Sequence, residues 1–174
     1  MAGKTKGINI LIDRLTNSIE NAISGDSFKT EVLLLPKDAV KEIKRSDWVF
    51  DWRKEFADAR KQVFKLVIKD NPRVIQGMVS VEDRSDHIFM HLIESAKFNK
   101  GARKVYIGVP GNLVAFVCKM SFERGYEGFV SFESKTRLIE HYKTSLGAFV
   151  IAGKIMAIDT QASLKLTEKY FPEF

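Results

Sequence analysis

A short glycine-bearing loop, Gly108-Val109-Pro110-Gly111-Asn112, runs straight into an apolar stretch that reads as a helix over residues 112–124. A helix start exposes unsatisfied N–H groups and a partial positive charge, and both attract phosphate. Glycine lets a backbone come close to a bound anion. The loop therefore points to a phosphorylated ligand. His87 and His91 have a spacing that would suit a metal on a helix. The apolar residues around them favour a strand, where four residues span roughly 13 Å at about 3.3 Å each, too far to share one ion. No metal is expected. Cys118 is the single cysteine and falls in the apolar helix. It reads as a small buried hydrophobe, and no intrachain disulfide can form. No Ser or Cys stands in a recognisable nucleophile context, so a covalent mechanism is not expected.

The elements that must position these residues follow from hydrophobic period and breakers. Residues 8–23 place Ile8, Ile10, Leu11, Leu15, Ile19, Ala22 and Ile23 near helical spacing, with Gly25 as a stop. Residues 30–35 read as a strand, broken at Pro36 and followed by a short helix to about residue 44. Trp48, Phe50, Trp52 and Phe56 form an aromatic cluster that reads as core or interface packing. Three strand-like runs come next, over 63–68, 74–81 and 87–93, in the order of an antiparallel meander. Alternation along the third puts Ile88, Met90, Leu92 and Glu94 on one face. Residues 95–104 read as a loop. Past the apolar helix, which Gly125 ends, come a strand at 129–132 and a helix at 136–146 ended by Gly147. A broken strand pair at 149–158 and a last helix at 162–170 follow. A strand–helix–strand unit implies parallel neighbours and a right-handed crossover. The expected fold class is α/β (α+β), a mixed central sheet with helices on both faces.

The chain has 174 residues, of which 45% are hydrophobic and 29% charged, the composition of one globular domain spanning residues 1–174. No apolar run reaches the roughly 18 residues of a membrane span, and the chain opens without the apolar core of a secretory leader. With its lone cysteine this makes a cytoplasmic location the expectation. The formal net charge of +6 is spread along the chain, which suits a solvated surface, an anionic cofactor or an acidic substrate.

The stretch 105–132, VYIGVPGNLVAFVCKMSFERGYEGFVSF, and the stretch 138–147, LIEHYKTSLG, resemble the GNAT acyltransferase superfamily. In that family a loop of pattern Arg/Gln-x-x-Gly-x-Gly/Ala binds the pyrophosphate of acetyl-CoA and opens a helix. A later helix ends in Tyr-x-x-x-Gly-Phe. The resemblance covers residues 63–158 and is thinner over residues 1–60. Several positions depart from the pattern. Val109 stands at its first glycine and Tyr106 at its Arg/Gln, and Pro110 has no N–H to give a phosphate. Tyr142 lies five residues before Gly147, so Lys143 holds the usual spacing. Ala148 follows in place of an aromatic, and Lys135 stands at a common Asn.

The resemblance implies acetyl-CoA between the third meander strand and the next parallel strand. Backbone N–H groups near Leu92 and Ile93 would hold the thioester carbonyl. Those of Val109, Gly111, Asn112 and Leu113, with Gly108 beside them, would hold the pyrophosphate. Tyr142 is the candidate general acid to the departing thiolate, its ordinary pKa of about 10 suiting donation to sulfur. Glu94 is the candidate base, with Glu82 in reserve. The alternative to each role is structural: a buried tyrosine with a satisfied hydroxyl, and a charge paired with a lysine.

The leading function is an N-acyltransferase moving an acetyl group from acetyl-CoA to an amine by direct attack. The second is a catalytically inactive GNAT-like module that binds CoA or a protein. A third, nucleic-acid binding, would use Lys41, Lys44, Arg45, Arg53, Lys54, Arg60 and Lys61 near Trp48 and Trp52, but no recognisable motif supports it. The acceptor, a small molecule or a protein amine, is not specified by the sequence. A homodimer is compatible with the family.

Overall fold

The computed structural model describes residues 7–174. The expectation of no secretory leader bears partly on residues 1–6, which lie outside the described residues. In chain order the strands are β1 (Ile19–Asn21), β2 (Ser27–Phe28), β3 (Thr30–Leu35), β4 (Lys61–Ile68), β5 (Gly77–Asp83), β6 (Ile88–Ser95), β7 (Tyr106–Ile107), β8 (Val130–Glu133), β9 (Phe149–Ala152) and β10 (Ile155–Ile158). The α-helices are α1 (Trp52–Ala57), α2 (Val109–Glu123), α3 (Ile139–Leu146) and α4 (Thr160–Tyr170). A seven-stranded sheet has the order β3-β4-β5-β6-β8-β10-β9, and a small sheet has the order β2-β1-β7. β3 to β6 are antiparallel neighbours, whereas β6 and β8 are parallel and joined through α2. This is the expected mixed sheet, meander first and crossover second.

Two apolar layers sandwich the sheet. On one face α2, α3 and α4 pack through Leu113, Val117, Tyr142 and Leu166 onto Leu66, Val79, Met90 and Phe132. On the other, Trp48, Trp52 and Phe56 pack onto Val63 and Met78. The two tryptophan rings meet edge to face with centroids 6.2 Å apart. They are 5% and 1% exposed, so neither is free to stack on a base. Arg53, Arg60 and Lys61 are paired with Asp51, Asp58 and Glu55.

Three local expectations are corrected. Residues 8–23 form no helix: the chain runs extended to about Ser18 and then enters β1. The helical face would have buried Leu11 and Ile23, which are 59% and 98% exposed. Ile8 and Ile12 are buried instead, with Ile10 partly so. Those residues alternate at period two and are β-branched, which suits an extended chain. Gly25, expected as a helix stop, sits at φ +77° in the turn between β1 and β2, where its N–H donates to the Asn21 carbonyl.

The second correction concerns β6. Its pairing with β5 skips His91: Ser80 opposes Leu92, and Val81 opposes Met90. One extra residue reverses the alternation beyond it. Ile88, Met90 and Ile93 therefore face the α2 side, while Leu92 and Glu94 face the tryptophan side. The helix expected from residue 112 also begins earlier, at Val109.

Candidate active site

β6 and β8 pair only over Ile88–Met90 and Val130–Phe132, and β6 then continues to Ser95. Their pairing stops at Met90, next to the irregularity at His91, and β6 runs on without β8 beside it in the ladder. The gap opens beside the start of α2. Gly108 is the residue before that helix and takes φ +94°, a conformation that favours glycine. The sheet thus brings together the glycine loop, the C-terminal end of β6 and α3, which carries Tyr142.

The chain's own residues 8–18 run through this gap as a strap. Ile8 bridges Ser134 in parallel fashion: its N–H donates to the Glu133 carbonyl at 2.6 Å, and the Lys135 N–H donates to its carbonyl at 3.2 Å. The Ile10 N–H donates to the Tyr142 hydroxyl at 3.0 Å, and that hydroxyl donates back to the Ile10 carbonyl. The Ile12 N–H donates to His141 Nε2 at 2.9 Å, and the Thr16 N–H to the Tyr170 hydroxyl at 2.8 Å. The Asp13 carboxylate accepts from the Gly108 N–H at 3.2 Å and from Lys104 Nζ at 3.2 Å. A carboxylate therefore sits at the N-terminal end of α2, where N–H groups and the helix dipole favour an anion.

Each residue singled out from the sequence has a definite place. Tyr142 is fully buried, packs edge to face on Phe132 at 5.4 Å, and its phenol is pushed up to about 12 by burial, with the Ile10 hydrogen bond acting the other way. Gly111 lies under Leu15 and Tyr170: a methyl group added there would stand 2.5 Å from the Tyr170 hydroxyl and 3.0 Å from Leu15 Cδ2. The Asn112 N–H is used within the helix turn, donating to the Gly108 carbonyl at 3.0 Å, and its side-chain amide donates to Thr30 Oγ1 at 2.9 Å. Val109 and Leu113 are buried against Gly77. Ile93 is buried on the α2 side, and Leu92 is partly buried on the tryptophan side.

The Glu94 carboxylate is 1% exposed and accepts four hydrogen bonds. They come from the Val49 N–H at 2.7 Å, the Phe50 N–H at 3.2 Å, Trp52 Nε1 at 2.9 Å and Lys100 Nζ at 2.9 Å. It anchors the aromatic loop to the end of β6. Glu82 holds His91 Nε2 at 2.8 Å and is drawn below the usual carboxylate range by that bond. His87 Nδ1 bonds Asp86 at 2.6 Å, so the two histidines face different partners. Burial pushes the Cys118 thiol up to about 12.

A cavity of about 310 Å³ remains between strap and sheet. Ile93 and Glu94 line it from β6, Ile10 and Asp13 from the strap, Pro110 from the first turn of α2, and Arg137 from the turn before α3. Asp13, Lys104 and Tyr170 were not singled out from the sequence. The alternation of Ile8, Ile10 and Ile12 is the one signal that could have marked a non-helical segment, and nothing in the sequence signals its partners.

Two solved structures share this architecture. AtaTR bound with AcCoA matches at 11% identity over 79% of this chain and 98% of that chain, with a TM-score of 0.52. Mutant forms of the spermidine/spermine N-acetyltransferase SpeG from Vibrio cholerae match at 12% identity over 79% of this chain and 97% of theirs, with a TM-score of 0.50. The chain has the GNAT fold. No protein-family model and no curated protein sequence matches it. Among the described residues no helix of this GNAT-fold chain is long and apolar enough to cross a membrane.

In this form the gap between β6 and β8 is taken by the chain itself. The strap takes the gap, Asp13 takes the Gly108 N–H, and Leu15 and Tyr170 cover Gly111.

Proposed function

We propose that this chain is a GNAT-fold binding module which, with the strap in place, neither takes up acetyl-CoA nor transfers an acyl group. The observation that carries this reading is the strap itself, lying in the gap and holding the Tyr142 hydroxyl through both polar groups of Ile10. Three features support it. Pro110 contributes no N–H to an anion site, the Gly108 N–H is held by a carboxylate, and the Glu94 carboxylate is committed to four donors. The cavity of about 310 Å³ that remains is at the small end for ligand sites.

A second reading is an acetyl-CoA-dependent N-acyltransferase acting on an amine. It is favoured by Tyr142, which stands at the gap on α3, the helix after β8. In this reading Tyr142 is the acid, and the amine proton leaves through water rather than through Glu94. Thermal unfolding of the whole chain with acetyl-CoA or CoA separates the two. A ligand at 100 times its dissociation constant stabilises the native state by about 2.7 kcal/mol, which raises the midpoint of a chain this size by roughly 5–10 °C. The module reading expects no shift at millimolar ligand. A shift of several degrees sinks it and puts the acyltransferase first.

A further inference from the structure

We propose that residues 8–16 are an internal competitor for acyl-CoA, a strap whose release opens the groove between β6 and β8. The inference rests on the closed-module reading and adds a regulation to the same site. The strap covers the path in sections. Asp13 places a carboxylate on the Gly108 N–H, at the α2 start where a pyrophosphate would lie. Ile8 adds an extended backbone to the end of β8, filling the widening gap with strand-like pairing to Glu133 and Lys135. Ile10 uses the Tyr142 hydroxyl as both donor and acceptor. An anion, an extended arm and a group at the tyrosine are the three features that a nucleotide thioester presents.

The attachments are of two kinds. Tyr142, His141 and Tyr170 hold the strap through side chains, and these remain on α3 and α4 if it leaves. Past Ser18 the chain enters β1, which pairs with β2 and with β7 and buries Ile19 completely. The strap therefore leads into β1 at its far end, and the strand pairings of the large sheet do not include it. A ligand that needs the open form binds with an affinity reduced by the fraction open, so loosening the strap strengthens binding by the factor it raises that fraction.

The test pairs hydrogen exchange with ligand titration on the whole chain. In the wild type, the amides of Ile8, Ile10, Ile12 and Thr16 are expected to exchange much faster than those of Val79 and Leu66 in the central strands. Exchange of both sets at one rate would mean that the strap leaves only on global unfolding, and would overturn the proposal without any variant. Calorimetric titration of acetyl-CoA into the Asp13→Ala/Ile8→Ser variant is expected to give binding at least about tenfold tighter than to wild type. Equal affinity for both forms would overturn the competition. If the strap exchanges fast and neither form binds at millimolar ligand, the groove is not a CoA site: the competition fails and the closed module stands. Tight binding to the wild type would instead sink the module reading.

Discussion

The hydroxyl of Tyr142 and the backbone of Ile10 satisfy each other across 132 residues of chain: the Ile10 N–H donates to the oxygen at 3.0 Å, and the hydroxyl donates to the Ile10 carbonyl. A side chain suited to protonating a thiolate is here tied to the strap. Its phenol, pushed up to about 12 by burial, stays protonated across the physiological range.

Tyr142→Phe removes that hydroxyl and leaves a buried N–H and carbonyl of Ile10 without it. Such a loss costs about 1–3 kcal/mol, and the unfolding midpoint is expected to fall by several degrees. Exchange at Ile10 and Ile12 should quicken with it. A variant as stable as wild type, with an unchanged strap, would show that the pair does not hold the segment.

Glu94→Ala takes the acceptor away from Trp52 Nε1 and from Lys100, and frees the aromatic loop from β6. Breaking a buried charged contact of this kind typically costs about 3–5 kcal/mol, with the half-exposed Lys100 end lowering the figure. Denaturant unfolding followed by tryptophan fluorescence reports on the same loop, since Trp48 and Trp52 meet edge to face there. A change under about 0.5 kcal/mol would remove the anchoring role and return Glu94 to candidacy as a base.

At Gly111 the expectation concerns shape. Alanine would bring a methyl group to 2.5 Å from the Tyr170 hydroxyl, which receives the Thr16 N–H. Overpacking of this sort costs about 1–3 kcal/mol. Gly111→Ala should lower the midpoint and speed exchange at Thr16, even with no ligand present. Unaltered exchange would mean that Tyr170 yields without moving the strap.

His91 and Glu82 predict an acid limb in the stability curve. Burial holds the His91 pKa below its ordinary value, and the His91 hydrogen bond holds Glu82 below the usual range. Both folded-state values are depressed, so their stabilisation is full above the unfolded values, about 6.5 for His and 4.3 for Glu. It is lost as pH falls through the folded values, because the unfolded chain then binds more protons. Midpoints measured from pH 7 to pH 4 should drop, and His91→Gln should flatten the upper part of that drop. An identical slope in the variant would assign it to other carboxylates.

Local chemistry determined much of this protein in advance. Periodicity and breakers placed the meander, the apolar helix and the closing hairpin, because each is written in neighbouring residues whose spacing sets which face is buried. Gly108 and Gly147 were readable as backbone specials, and Tyr142 as a residue at a helix with chemical capacity. The tertiary structure alone decided what those residues do. One extra residue at His91 reversed the face of Glu94, and bulges depend on a partner strand that sequence spacing does not show. Residues 8–18 have helical spacing and strand-like alternation at once. Their extended form was chosen by Tyr142, His141 and Tyr170, each more than 120 positions away. The gap between β6 and β8 and its occupant are long-range features of the folded sheet, which is why the sequence pointed to a groove for CoA and the structure found the chain's own strap in it.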